Sequence, residues 1–456
     1  MHRRLRTALT TALLSATVLT TAIGVAGPAG AATTPDLLLG VQLHVLAPSS
    51  SASDMTRQLD LLADLGATTL RADVSWGSLQ QDGPDGWSSW YVDRLDTLVS
   101  GANARGMKPV LTLLDSPCWA SSAPESLKAG CTGSWWDRDV QLYAPSDMTA
   151  YARAAAYVAG RYEGRIAALE VWNEPNYDDQ GFSPFIAADR PASYTAMLKS
   201  TYPAVKAAAP RTVVLAGALS FSDTDFARAL WQRGAVGSYD ALSVHPYNGN
   251  RAPGTPVDPR YAKYDYTTGL AALHAAQLAA GDTSKLWITE MGWTNCLGTH
   301  SWCVSDADQA AYLAQAVGMA RQMPYVAAFL SYAMRDNGTV RTNDQHNYGL
   351  VRRDYSPKPA LAALTAAFRS QAATAPATTA PATTTPAAST PTTRTPATST
   401  PAAPFIGPVA PGTTPSVTTS PGTQTTARSV TTASTTKVRQ RRLPTRAVRF
   451  SLTAGR

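Results

Sequence analysis

Hydrophobic residues in the middle of the chain alternate between short apolar runs and longer stretches with apolar residues at helical spacing. The run LLLGVQLHV at 37–45 is followed by SDMTRQLDLLADLG, in which Leu59, Leu62 and Leu65 share one helical face before a glycine. A short apolar run followed by a stretch with helical spacing occurs eight times in all along the chain. The predicted strands are 37–45, 68–76, 108–115, 166–173, 212–220, 239–247, 285–293 and 326–334, and the predicted helices are 53–66, 88–105, 147–163, 191–209, 224–233, 266–280, 305–322 and 357–369.

Eight strand-then-helix units predict an α/β fold, a closed (β/α)₈ TIM barrel. The runs are apolar throughout, which is typical of strands in a parallel sheet that helices cover on its outer face. The alternative is a doubly wound open sheet, which would more often carry a glycine-rich phosphate loop after its first strand. The chain has HVLAPSSS at that point, and the barrel is therefore favoured.

The first 32 residues have the composition of a secretory signal peptide. Arginines at the start precede the apolar stretch ALLSATVLTTAIGVA, and small residues follow, so cleavage is expected after Ala31 or Ala32. The apolar stretch is short and rich in threonine, and no other stretch is long enough to span a bilayer. We expect a mature protein that is secreted and extracellular, without a membrane span.

The chain after residue 370 has a different composition from the barrel region 33–370. Residues 371–436 are almost entirely Thr, Ala, Pro and Ser, and such a stretch has too little apolar surface to fold, so a disordered linker is predicted. Residues 437–456 form a basic tail with seven Lys and Arg and no acid. This tail is expected to contact anionic cell-wall polymers electrostatically, which would associate the protein with the cell wall.

Charge is divided unequally between the barrel and the ends. Residues 33–370 hold all 32 Asp and Glu but only 27 of the 39 Lys and Arg, a net charge of −5. The basic character of the whole chain therefore resides in the two ends. A nucleic-acid partner is not expected, because no basic surface accompanies the fold.

The four cysteines are Cys118, Cys131, Cys296 and Cys303. An even number of cysteines in an exported chain favours two disulfides, and proximity predicts the pairs Cys118–Cys131 and Cys296–Cys303. The alternative is a zinc site, for which closer spacing of the ligands would be expected.

Carboxylates stand at the ends of the fourth and seventh predicted strands. The fourth strand runs into Glu174 in ALEVWNEPN, and the seventh runs into Glu290 in KLWITEMGW. Active sites of such barrels lie at the carboxyl ends of the strands, and strands four and seven lie on nearly opposite sides of the opening. Cleavage of a glycosidic bond needs such a pair, one carboxyl to protonate the leaving oxygen and one to attack or stabilise the anomeric carbon.

The motifs VWNEPN (171–176) and WITEMGW (287–293) resemble the two catalytic strands of the retaining glycoside hydrolases of clan A, in particular families 39 and 5. The resemblance covers about residues 36–370. It implies that Glu174 is the general acid/base, that Glu290 is the nucleophile and that Asn173 holds the 2-hydroxyl of the sugar. It also implies that Arg71, in TLRADVSW, binds the nucleophile, and that His245 and Tyr247, in SVHPY, reach the same site.

Further candidates for substrate binding follow from their positions at strand ends. Aromatic faces suit the apolar side of a sugar ring, and polar groups suit its hydroxyls. Many members of the clan carry Trp at the end of strand eight, whereas this chain has LSYAMRD (330–336). The additional candidates are His44, Trp293 and Tyr332.

These features together predict a glycoside hydrolase acting on an oligosaccharide or polysaccharide of plant or microbial origin. We expect a retaining mechanism by double displacement, no cofactor, no metal and a monomeric protein. Two alternatives remain open: a transglycosylase that uses the same site, and a glycan-binding or wall-associated barrel without catalysis. The presence of both carboxylates argues against the second.

Overall fold

A computed structural model describes residues 37–178, 183–298 and 302–370. In this part of the chain eight strands form a closed barrel in sequence order, and the barrel closes by parallel pairing of the first and last strands. The predicted (β/α)₈ fold is thereby confirmed. The strands are β1 (Leu38–Leu43), β2 (Thr69–Ser75), β3 (Lys108–Leu114), β4 (Ala168–Val171), β5 (Val213–Ser220), β6 (Ala241–His245), β7 (Leu286–Met291) and β8 (Val326–Ser331).

Helices connect the strands and cover the outside of the barrel. Many begin at a side-chain cap, such as Ser51, whose hydroxyl accepts a hydrogen bond from Asp54 N and whose backbone N–H donates one to the Asp54 carboxylate. Within the described ranges the α-helices are α1 (Ala52–Leu65), α2 (Trp76–Leu79), α3 (Ser89–Asn103), α4 (Glu125–Lys128), α5 (Met148–Arg161), α6 (Arg190–Ala208), α7 (Thr224–Gln232), α8 (Tyr266–Ala279), α9 (Asp306–Arg321) and α10 (Pro359–Arg369).

Side chains inside the barrel change from apolar to polar towards the carboxyl ends of the strands. On β4, Ala168 belongs to a small apolar cluster of the interior, whereas Glu170, two residues later, is fully buried and charged. Leu169 and Val171 point the other way, into the main core between strands and helices. The candidate site lies in this polar layer, at the carboxyl ends of the strands.

Two disulfides fasten loops at the carboxyl ends of the strands. Cys118 is bonded to Cys131 in the loop after β3, and Cys296 is bonded to Cys303 in the loop after β7. Both predicted pairings are confirmed, and both loops lie on the side of the barrel that carries Glu174 and Glu290.

The predicted signal peptide, linker and basic tail lie outside the described residues, and their assignments remain predictions. Among the described helices, none combines the length and the hydropathy that crossing a membrane requires.

Candidate active site

Glu174 and Glu290 line one cleft at the carboxyl ends of the strands, as does Asn173. The cleft has a cavity volume of about 220 Å³. Glu174 is 6% exposed and Glu290 is 8% exposed. Two carboxyl groups that are nearly withdrawn from water, yet border a cavity, are accessible to a substrate and shielded from bulk solvent.

The segment after β4 turns sharply to bring Glu174 into the cleft. Trp172 and Glu174 have φ angles of 66° and 45°, which are uncommon for residues with a side chain. Neighbouring β5 holds this turn: Glu174 N donates to Ala218 O at 3.0 Å, and the Asn176 amide exchanges two hydrogen bonds of 2.9 Å with the backbone of Ser220. The motif NEPN therefore fixes the carboxyl group by anchoring its own loop.

An irregularity in β7 directs Glu290 towards the opening of the barrel. Ile288 and Met291 both belong to the outer core, although they are three residues apart and a regular strand would point them to opposite faces. The register with β8 shifts between these two residues. Such a bulge re-aims the side chains beside it, and here that side chain is Glu290.

Both oxygens of Glu290 have hydrogen-bond donors. Arg71 Nη1 donates to Oε1 at 2.6 Å, and the Tyr247 hydroxyl donates to Oε2 at 2.8 Å. These two hydrogen bonds fix the positions of both carboxyl oxygens. A carboxyl group that is held in this way is oriented for contact with a substrate in the cleft.

Arg71 is fully buried and uses its three nitrogens on different partners. Nε donates to Glu170 Oε2 at 2.7 Å, Nη2 donates to Asn173 Oδ1 at 2.7 Å, and Nη1 also reaches Gln42 Oε1 at 3.0 Å. Burial lowers the pKa of Arg71, but the charges of Glu170 and Glu290 raise it above its usual range. Arg71 therefore carries a permanent positive charge inside the barrel.

Glu170 contacts the site through Arg71 and was not identified from the sequence. Burial raises its pKa, but the charges of Arg71 and His245 lower it below the ordinary value, so the carboxylate is ionised. Thr112 donates a hydrogen bond of 2.7 Å to the same oxygen that binds Arg71. A charged residue in the middle of an apolar strand was the signal that could have revealed it.

His245 lies between the two cleft carboxyls, at the end of β6. Its Nδ1 is 3.0 Å from Glu174 Oε1 and 3.6 Å from Glu290 Oε2, and its ring is fully buried. The two oxygens are therefore no farther apart than the sum of these distances. A single imidazole thus couples the positions of both carboxyl groups.

Aromatic side chains form the side of the cleft next to β8. Tyr332 makes edge contacts with His44, Tyr247 and Tyr348, at centroid distances of 5.4, 6.4 and 5.4 Å, and all four line the cavity. Tyr332 stands where many clan members have Trp. Tyr348, from the loop after β8, was not foreseen because no pattern in its loop distinguishes it.

Carboxylates line the side of the cleft formed by the loops after β2 and β3. Asp73 accepts a hydrogen bond of 3.0 Å from Gln42 and lies 3.6 Å from His44 Nδ1. Asp115 has a φ of 68°, and burial together with the charge of Asp73 raises its pKa to about 7.

The structure brings together every predicted site residue except Trp293. His44, Asn173, Tyr247 and Tyr332 line the cleft with the two glutamates, while Arg71 and His245 contact the glutamates from behind. Trp293 is 1% exposed, and its indole donates to Arg251 O at 2.9 Å in the loop after β6. It lies two residues beyond the end of β7 and is not among the residues lining the cleft.

Among the residues that the structure describes, no group of three or more His, Cys, Asp or Glu side chains is arranged to hold a metal ion.

Comparisons with known proteins agree with this arrangement. A model of the cellulase family (glycosyl hydrolase family 5) matches residues 30–332. No curated protein sequence matches the chain.

Solved structures of glycosidases share the fold. A family 39 glycoside hydrolase from Bacteroides cellulosilyticus WH2 superposes with a TM-score of 0.58 and 23% identity, over 73% of this chain and 63% of the other. An exo-β-1,4-mannosidase from Opitutaceae bacterium strain TAV5 gives a TM-score of 0.52 and 17% identity, over 73% and 59%. The chain thus spans less than two thirds of the length of these two proteins.

A third structure belongs to the family of the matching model. It is a family 5 enzyme of subfamily 18 from Streptomyces cattleya, solved with Manβ1-4GlcNAc, with a TM-score of 0.53 and 16% identity over 73% of this chain and 80% of the other. The resemblance to clan A barrels is confirmed. Because the family model covers more than half of the sequence, the chain belongs to the cellulase family, glycosyl hydrolase family 5.

Proposed function

We propose that the protein is a retaining β-glycosidase in which Glu174 is the acid/base and Glu290 is the nucleophile. The observation that carries this proposal is the shared contact with His245 Nδ1, at 3.0 Å from Glu174 and 3.6 Å from Glu290. The sum of these distances is an upper limit for the separation of the two oxygens. This limit admits the separation of about 5–5.5 Å found in retaining enzymes, and it reaches only the lower edge of the range of roughly 6.5–9.5 Å found in inverting enzymes.

In the first step Glu290 attacks the anomeric carbon while the bond to the glycosidic oxygen breaks. Glu174, protonated at this stage, gives its proton to the departing oxygen, so the leaving sugar departs as a neutral alcohol. The product is a glycosyl ester of Glu290, with the anomeric configuration inverted once. Arg71 and Tyr247 hold the two oxygens of Glu290 and orient it for attack.

In the second step water takes the place of the leaving sugar. Glu174, now a carboxylate, removes a proton from the water as the water oxygen bonds to the anomeric carbon and the ester bond breaks. The second inversion restores the original configuration. Asn173 supports both steps. Its Oδ1 accepts the hydrogen bond from Arg71, so its amide nitrogen is the group that donates a hydrogen bond to the sugar.

The substrate that this proposal favours is a β-linked oligosaccharide or polysaccharide. The related structures include a β-1,4-mannosidase and an enzyme bound to Manβ1-4GlcNAc, and the matching family is named for cellulase. Gluco- and manno-configured β-1,4-glycosides are accordingly the first substrates to test. A transglycosylase would share the first step and differ only in using a sugar hydroxyl instead of water.

We also propose that the protein is secreted. The sequence of residues 1–32 and the two disulfides support this, because disulfides persist in oxidising compartments. Amino-terminal sequencing of protein from the culture medium tests it, with a mature terminus expected at Ala32 or Thr33.

Proton NMR of the products during early hydrolysis tests the mechanism. A panel of aryl β-glucosides, aryl β-mannosides and β-1,4-linked oligosaccharides is incubated with the enzyme, and the first anomer released is recorded. The β-anomer is expected to appear first and the α-anomer only later by mutarotation. Initial release of the α-anomer would overturn the retaining mechanism, and products with new glycosidic bonds would identify a transglycosylase.

A further inference from the structure

The hydroxyl group of Tyr332 belongs to a buried side chain on the wall of the cleft. Tyr332 follows β8, lines the cavity and is 7% exposed. Burial and the charge of Glu290 raise the pKa of this hydroxyl well above its usual range, so the group stays protonated near neutral pH. Its ring also contacts the ring of Tyr247, which binds Glu290. The Tyr332 hydroxyl is therefore a neutral donor beside the proposed nucleophile.

Asn337, in the loop after β8, donates a hydrogen bond to this hydroxyl. Its Nδ2 lies 3.2 Å from Tyr332 Oη and 3.4 Å from Gln345 O. A backbone carbonyl can only accept a hydrogen bond, so the amide NH₂ group, and not the amide oxygen, must face Gln345 O. The two hydrogens of this NH₂ group thus serve two acceptors, one of which is the Tyr332 hydroxyl.

This contact determines which role the Tyr332 hydroxyl has left to play. A hydroxyl that accepts a hydrogen bond still has its own hydrogen to donate. Among the residues that the structure describes, none accepts a hydrogen bond from Tyr332 Oη. A buried donor without an acceptor is unfavourable, so the acceptor is expected to come from the cleft, as water in the free protein and as a sugar oxygen in the complex.

The backbone around Asn337 is held on both sides. The carboxylate of the preceding residue, Asp336, accepts a hydrogen bond of 2.7 Å from Lys358 Nζ, and Lys358 is only 2% exposed. The following residue, Gly338, lies so close to His346 that a Cβ atom at this position would be 2.3 Å from the His346 Nδ1. Asn337 is therefore positioned by its neighbours before a substrate binds.

We propose that Asn337 is a positioning residue that directs the Tyr332 O–H into the cleft, where it donates a hydrogen bond to the transferred sugar, the one that becomes bonded to Glu290. The inference rests on the proposed function, because that function places this sugar beside Glu290. The 2-hydroxyl is assigned to Asn173, so the acceptor is the 3-, 4- or 6-hydroxyl oxygen. A sugar without this oxygen would leave the Tyr332 donor unpaired, and the pair would therefore select against it.

Two variants remove the proposed hydrogen bond in different ways. Asn337→Asp keeps the shape of the side chain but replaces the NH₂ group by an oxygen, which accepts the Tyr332 hydrogen and turns it away from the cleft. Tyr332→Phe removes the hydroxyl. The matched control is Asn343→Asp in the same loop, because the Asn343 amide oxygen accepts a hydrogen bond of 2.9 Å from Gln345 N and a carboxylate can do the same.

The test compares kcat/KM for a glycosyl fluoride with kcat/KM for its analogues that lack the 3-, 4- or 6-hydroxyl, in the gluco and manno series. A fluoride carries only the transferred sugar, so contacts to a leaving sugar do not contribute. At one position the preference for the parent over the deoxy analogue is expected to be about tenfold larger in the wild type and Asn343→Asp than in Asn337→Asp and Tyr332→Phe. Partial unfolding cancels in this ratio. Equal preferences in the wild type and Asn337→Asp at all three positions would overturn the inference.

A double variant distinguishes positioning from a general effect on the loop. If Asn337 acts through the Tyr332 hydroxyl, Asn337→Asp should not reduce kcat/KM for the parent fluoride further in a protein that already carries Tyr332→Phe. A reduction as large as that in the wild-type background would assign the effect to the loop and would contradict the positioning role.

Binding separates this inference from the proposed function. If the wild type hydrolyses none of the fluorides, the glycosidase proposal fails, and calorimetry then measures binding of the parent and deoxy compounds. A preference for one parent hydroxyl that is about tenfold larger in the wild type than in Asn337→Asp would support the positioning role without catalysis. Equal preferences in the two proteins, or no binding by the wild type, would overturn it.

Discussion

Arg71 Nε donates a hydrogen bond of 2.7 Å to Glu170 Oε2 inside the barrel, where both side chains are fully buried. On its other side the same guanidinium binds Glu290. The ion pair thus connects the barrel interior with the proposed nucleophile. Glu170 acts as a positioning residue, because it touches the reacting group only through Arg71.

The first prediction is that Glu170→Gln weakens both folding and catalysis. The free energy of unfolding is expected to fall by about 3 kcal/mol, because a buried charge loses its partner, and Glu290 remains to limit the loss. Urea denaturation measures this change. The kcat is expected to fall more than KM rises, because Arg71 is then less firmly oriented on Glu290.

The control for this prediction is Glu163→Gln. Glu163 pairs with Arg211, whose side chain is largely exposed, at 3.3 Å, and a surface pair contributes at most about 1 kcal/mol. If Glu170→Gln is as stable and as active as Glu163→Gln, the positioning role is wrong.

The barrel was predictable because its repeating unit is encoded locally. Apolar runs and helical spacing located the eight strands and eight of the ten helices to within a few residues, as with the predicted helix 53–66 and the observed Ala52–Leu65, while the short helices α2 and α4 were not predicted. The two cysteine pairs were predictable because their partners are near in sequence. Glu174 and Glu290 were identified as strand-end residues, and the fold brings both into one cleft.

The hydrogen-bond network that Arg71, Glu170 and Thr112 form next to Glu290 was not predictable from the sequence. Its contacts join residues from different strands, and they depend on a strand register that no local pattern reveals, such as the pairing of Thr112 with Glu170. The bulge that re-aims Glu290 is likewise a property of two strands together. Trp293 was assigned to the cleft only because it follows β7, and its buried indole instead donates to Arg251 O in the loop after β6.

The second prediction concerns the pH dependence of stability through Asp115. Burial and the charge of Asp73 raise the pKa of Asp115 from 3.8 to about 7. The folded protein therefore keeps a proton that the unfolded chain loses, and its stability falls as pH rises from about 4 to about 7.

Thermal unfolding between pH 4 and pH 8 tests this relation. Asp115→Asn is expected to show a smaller loss of Tm over this range than the wild type, because the amide does not ionise. The control Ser78→Ala changes the same side of the cleft without a titrating group. Identical pH profiles for Asp115→Asn and the wild type would refute the assignment.

The third prediction is that each disulfide stabilises the protein and that the longer closed loop contributes somewhat more. The bonded cysteines are 13 residues apart in Cys118–Cys131 and 7 apart in Cys296–Cys303. Replacing both cysteines of a pair by serine is expected to cost about 3 kcal/mol for the first and about 2 kcal/mol for the second. Non-reducing peptide mapping of the wild type must first find these pairs, and crossed pairs or free thiols would contradict the assignment.

The fourth prediction is that residues 371–456 do not contribute to catalysis. A protein ending at residue 370 is expected to keep the kcat/KM of the full chain on a soluble substrate. The full chain is expected to bind anionic cell-wall polymers more strongly, and rising salt should reduce that binding by screening the basic tail. Equal retention of both proteins at low salt would remove the proposed role of the tail.

The last prediction separates the roles of the two glutamates. Glu290→Ala removes the nucleophile, so turnover of every substrate is expected to disappear, including the glycosyl fluoride. Glu174→Ala removes the proton donor, and the first step should survive where the leaving group needs no protonation, as with fluoride. The second step still needs a base to activate water, so the glycosyl enzyme should accumulate and its hydrolysis should slow roughly 10²–10⁴-fold.

Rapid-quench kinetics and mass spectrometry of the intact protein measure this difference. Glu174→Ala with the fluoride should give a burst of fluoride release and a protein heavier by one glycosyl residue, whereas Glu290→Ala should give neither. Oligosaccharide hydrolysis should be lost in both variants, because a sugar alcohol leaves poorly without a proton. Since both side chains contact His245, their variants perturb the same part of the fold, and a burst in Glu290→Ala would show that the two roles are reversed.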